Sequence, residues 1–125
     1  MEHYDPEVPP DPEEWMALDE GERQILVEDF HESMPNELPN PTLHAAMHVV
    51  VENQVAIGAE LPVAGHLSRL LTEGLSRHEA IHAIASVLSE HMFNLVKSPP
   101  ESSRDPHEAY YQALARLSAG EWRDS

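Results

Sequence analysis

The chain is 125 residues long, carries 23 Asp and Glu against 7 Lys and Arg for a formal charge of −16, and contains no cysteine. This length suits one domain with a modest core, and the missing cysteine excludes disulfides, thiolate metal sites and thiol catalysis. Generic nucleic-acid binding works through Lys and Arg on phosphates, so nucleic acid is excluded as a partner, and anionic membrane surfaces are disfavoured for the same reason.

Met1 to Pro10 is acidic and proline-rich and is expected to be extended, draped over the domain. It lacks a basic stretch followed by an apolar one, and no apolar run in the chain reaches membrane length, so a cytoplasmic protein without a membrane partner is expected. A helical domain then fills residues 11–97. Asp11-Pro12 is an N-cap with proline at the first helical position, opening a short helix whose core anchor is Trp15. Asp19 caps the next helix, with Glu22 three residues on; Ile25, Leu26 and Phe30 have helical spacing up to Met34-Pro35. Its acidic face (Glu22, Glu28, Glu32) reads as a solvated face.

Asn40-Pro41 starts a helix that ends at Ile57, before Gly58. Between Pro41 and Ile57 only Glu52 is charged, so this helix is expected to be central and buried over much of its circumference. Leu61-Pro62 opens a shorter helix through His66, Leu67, Leu70 and Leu71, closed by Gly74. Ser76 and Glu79 form a capping box for a helix to Lys97, with an apolar stripe of Ile81, Ile84, Leu88, Met92 and Leu95. Residues 98–104 are a linker, 105–120 a last helix through Tyr110, Tyr111, Leu114 and Leu117 stopped by Gly120, and 121–125 a tail. No strand pattern competes. The fold class is therefore all-α, a compact bundle of about four core helices plus a C-terminal helix docked or swapped onto a neighbour.

Nine histidines are dispersed through the chain, and four form two i,i+4 pairs, His44/His48 and His78/His82. On a helix this spacing stacks both imidazoles on one side. Neutral imidazoles at that spacing make a natural half-site, and two half-sites from neighbouring helices complete a metal shell. Glu52 extends the first pair by one turn, and Glu90 lies two turns beyond His82; carboxylates in such places act as ligands or as acceptors that orient the rings. At about 100° per residue, each pair lies on the same-sense flank of its apolar stripe, so antiparallel packing brings the half-sites together. The expected stagger puts Glu52 near His82 and Glu90 near His44. His3, His31, His66, His91 and His107 have no partner spacing and are read as surface or core residues, and a buried histidine is more often hydrogen-bonded than a ligand.

His78-Glu79-Ala80-Ile81-His82 also reads H-E-x-x-H, the zinc signature in which the Glu polarises the attacking water. A zinc hydrolase needs a third ligand and a cleft, neither of which the pattern supplies, and Glu79 already has a role in the capping box.

Asn40-Pro41-Thr42-Leu43-His44, His48, Glu52-Asn53-Gln54, Arg77-His78-Glu79-Ala80-Ile81-His82 and Leu88-Ser89-Glu90 together resemble small bacterial proteins of the domain of unknown function 1841. The resemblance covers Asn40 to Met92 and implies a helical protein with a histidine and carboxylate cluster and no assigned activity. The leading expectation is a transition-metal protein using His44, His48, Glu52, His78, His82 and Glu90, with zinc, iron, nickel or manganese as the metal and no organic cofactor. The alternative is a metal-free interaction module that dimerises through the C-terminal helix, its exposed edges carrying Tyr110, Tyr111 and Trp122.

Overall fold

A computed structural model describes residues 1–32, 41–98 and 107–124, and no strand occurs among them. The helices are α1 (Pro12–Ala17), α2 (Glu20–Glu32), α3 (Pro41–Ile57), α4 (Val63–Thr72), α5 (Arg77–Lys97), α6 (Glu108–Arg116) and α7 (Ala119–Asp124), with a 3-10 turn at Gly58–Glu60. None is long and apolar enough to cross a membrane. The all-α expectation holds. The helix end at Met34-Pro35, the Asn40 cap and the Asp105-Pro106 start lie outside the described residues.

The sequence signals act where they were expected. The Asp11 carboxylate accepts the Glu14 amide at 3.3 Å, and Asp19 and Glu22 cap α2 reciprocally at 2.8 and 3.4 Å. Trp15 is fully buried, and its indole N–H donates to Asn53 of α3 at 2.9 Å. Arg23 of α2 closes the far end of α1, donating to the carbonyls of Trp15, Met16 and Leu18; a guanidinium there satisfies carbonyls that have no intrahelical partner. Gly58 and Gly74 have φ of 79° and 106°, the left-handed region that lets α3 and α4 stop abruptly.

α3 packs against α1, α2, α4 and α5, as its lack of surface charge demands. Two apolar clusters flank it. Val51, Leu70, Ile81, Ile84 and Leu114 belong to one, between α3, α4, α5 and α6; Tyr4, Trp15, Val27, Ala45 and Val49 form the other. α3 and α5 run antiparallel, because His44 meets His82 while Glu52, further along α3, meets Arg77 at the start of α5.

Three expectations need correction. Met92 does not continue the buried stripe of α5: it is exposed, with Phe93 67% and Val96 84% exposed beyond it. The α3–α5 register explains this, since α3 begins opposite the middle of α5 and its last turns overhang. Gly120 does not stop the last helix. α6 ends at Arg116, and a new turn starts where Ser118 Oγ accepts the Glu121 amide at 3.1 Å, a capping pattern legible at Ser118-x-x-Glu121. Finally, Tyr110 is no exposed edge. It is buried, and its hydroxyl donates to Gln54 of α3 at 2.7 Å, while Tyr111 and Trp122 pack against the same core. Within the chain, α6 docks on α4 and α5.

Candidate metal centre

Five histidines from three helices converge beside the α2–α3–α5 junction. The last turn of α2 supplies His31, α3 supplies His44 and His48, and the first two turns of α5 supply His78 and His82. One ligand nitrogen from each of His31, His48, His78 and His82 can be chosen so that all four lie within 4.8 Å of one another. His82 Nε2 lies 3.0 Å from both His44 Nε2 and His78 Nε2. The His31 ring centre is 4.6 Å from that of His44 and 4.7 Å from that of His48.

Hydrogen bonds outside the cluster set which nitrogen faces in. His31 Nδ1 lies 2.8 Å from the Val27 carbonyl, to which it can only donate. A neutral imidazole with its proton there presents Nε2 as a bare lone pair. His48 Nδ1 lies 3.5 Å from the Tyr4 hydroxyl, the outer limit of a hydrogen bond, and Tyr4 in turn donates to Glu52 Oε2 at 2.5 Å. The Nε2 atoms of both His31 and His48 are buried without a hydrogen-bond partner among the described residues. Buried lone pairs of this kind are costly unless something polar or cationic meets them.

Electrostatics favour the neutral form of His44, His48, His78 and His82. Burial, then repulsion from the surrounding imidazoles, lowers the His48 pKa far below the ordinary histidine range and that of His82 to about 3. Burial also lowers His44, with His31 and His78 adding to it. His78 is lowered by burial and His31, against the opposing pull of Glu7, Asp5 and Glu79. Neutral imidazole is the form that ligates metal.

The donor set can accept a cation. With metal–nitrogen bonds of about 2.0–2.1 Å, neighbouring ligand nitrogens lie roughly 3.0 Å apart in an octahedral shell and 3.3 Å in a tetrahedral one. The 3.0 Å separations around His82 match this spacing, and the nitrogens of His31, His48, His78 and His82 all lie within 4.8 Å of one another.

The carboxylates are placed differently from the expected stagger. Glu52, 1% exposed, does not approach His82. It takes a two-pronged ion pair from Arg77 at 2.8 Å on each side. The reason is register: His44 pairs with His82, so Glu52 falls beyond His78 and opposite Arg77. Glu52 therefore reaches the imidazoles through Tyr4. Glu90 is not brought to His44 for the same reason. It is exposed on the overhanging part of α5, where it lines a cavity of about 390 Å³ with His91, Asn94 and Arg116. His31, which had no spacing signal, stands inside the cluster; a single histidine on its helix can be linked to the others only through the packing of α2 on α3.

Glu79 faces away from this chemistry. Its side chain accepts the Ser76 amide at 3.3 Å while Ser76 Oγ accepts the Glu79 amide at 3.1 Å, completing the capping box. Glu79→Gln keeps an acceptor there, so it is expected to cost at most about 1 kcal/mol and leave metal content unchanged. Urea unfolding with elemental analysis of the variant checks both; a larger loss of stability would mean that Glu79 does more than cap α5.

A family model described as a domain of unknown function (DUF1841) matches residues 8–118. No curated protein and no solved structure matches the chain.

Proposed function

Since the chain belongs to the domain of unknown function 1841 family, whose description carries no activity, we propose a role from the site itself: the protein binds one divalent transition metal through His31, His48, His78 and His82, with His44 as a fifth donor at the edge. The observation that carries this reading is the convergence of imidazoles from three helices, two of them with buried Nε2 atoms that have no hydrogen-bond partner among the described residues.

The donor set narrows the metal. Imidazole suits zinc, iron and nickel, whereas manganese prefers carboxylate and water, and both expected carboxylates are engaged or placed elsewhere. A shell filled by protein side chains is typical of structural zinc, while catalytic zinc keeps an open position. Glu79 is taken up by the cap and Glu52 by the ion pair with Arg77. These points favour metal holding, structural or sequestering, over hydrolysis.

The test is elemental analysis of protein expressed without a histidine tag in metal-replete medium. Wild type is expected to contain about one metal per chain, and the His48→Ala, His82→Ala double variant almost none. Wild type carrying well under one metal overturns the proposal and returns attention to the metal-free interaction module.

A further inference from the structure

The first ten residues form no helix, yet they are tied to the domain at points close to the histidine cluster. Tyr4 and Pro6 are buried. The Tyr4 ring meets Trp15 at 5.7 Å and Phe30 at 6.1 Å between centres, while its hydroxyl stands between His48 Nδ1 and the Glu52 carboxylate. The Pro6 carbonyl accepts from Arg77 at 2.9 Å. Glu7 accepts the backbone amide of His78 at 2.5 Å. The strap thus touches one imidazole of α3, the ion pair beside it, and the backbone of the residue that carries an imidazole of α5.

We propose that this N-terminal strap closes the metal centre, with Tyr4 as its latch and as the positioning residue for His48. The inference rests on the metal reading above. A cation on His48 Nε2 makes the Nδ1 proton a stronger donor, and the Tyr4 oxygen is the acceptor in place to receive it. Tyr4 donates its own hydrogen bond to Glu52, whose carboxylate is held by Arg77. The relay sets the His48 ring with Nε2 inward, the way outer hydrogen bonds orient metal-bound histidines in general. Metal binding and strap docking then favour each other, because one hydrogen bond belongs to both.

Cobalt(II) is a suitable probe, because its visible absorption reports the ligand field. The cobalt-loaded full-length protein is mixed with excess EDTA and the loss of absorption is followed. Tyr4→Phe keeps the ring in its aromatic pocket and removes only the hydroxyl. It is expected to release cobalt about tenfold faster or more and to shift the absorption bands, which a purely structural role for Tyr4 would leave in place. Glu7→Gln weakens the strap without touching His48, so it is expected to speed release with the bands unmoved. Release from both variants at the wild-type rate overturns the inference while leaving the metal site standing. Wild type that takes up no cobalt overturns the metal reading itself, and the latch with it.

Discussion

Arg77→Met is expected to destabilise the fold by about 3–5 kcal/mol, the largest effect of any single substitution considered for this chain. The guanidinium is 7% exposed and the carboxylate it holds 1% exposed. Removing it leaves the buried Glu52 carboxyl with the Tyr4 hydroxyl as its one donor among the described residues. It also frees the Pro6 carbonyl that Arg77 satisfies. The cost of an orphaned buried charge should be separable from the worth of the pair. Replacing both partners, Arg77→Met with Glu52→Leu, removes the orphan and is expected to recover much of the loss, since apolar substitutes for buried ion pairs are often neutral or better. Urea unfolding of the two variants and wild type, all free of metal, gives the comparison. A single variant within about 1 kcal/mol of wild type would mean that the pair is solvated rather than buried.

The second large effect is an acid-labile metal-free protein. His48 and His82 have folded pKa values below that of an unfolded histidine, His82 at about 3, so between the folded and unfolded values the unfolded chain binds more protons. Stability from these groups is therefore fully present above about pH 6.5 and is lost as pH falls below it. At pH 5 the buried His48 alone accounts for about 2 kcal/mol; His82, partly open to solvent, adds a smaller amount. Urea unfolding of EDTA-treated protein at pH 7.5 and pH 5 is the measurement, and His48→Ala should flatten the dependence. Carboxylates ordinarily titrate lower, so a fall already under way between about pH 6.5 and pH 5 belongs to the histidines. Equal stability at the two values would show that the cluster opens to water and takes up protons without unfolding.

Much of the fold could be read from local signals because those signals act locally. The caps at Asp11, Asp19 and Ser76 satisfy amides within three residues of themselves, and Gly58 and Gly74 end helices through their own backbone angles. The near-absence of charge on α3 marks it as central because a charge there has nowhere to be solvated. The i,i+4 pairs were visible for the same reason: one helical turn brings both rings to one face without help from the rest of the chain.

What lay beyond the sequence depended on how helices meet. His31 joins the cluster only because α2 packs on α3. Whether a carboxylate reaches the imidazoles depends on a shift of about two helical turns between α3 and α5, which periodicity along either helix leaves free. That shift gave Glu52 to Arg77 and left Glu90 on the overhang. The N-terminal segment was expected to be extended, and its composition gave no sign of the contact from Tyr4 to Glu52, which spans 48 positions in the chain. Local residue chemistry determined the helices and the two histidine half-sites. Tertiary packing decided which fifth imidazole joined them, which acid Arg77 holds, and which ring stands beside His48, because those outcomes rest on side chains brought together from distant parts of the chain.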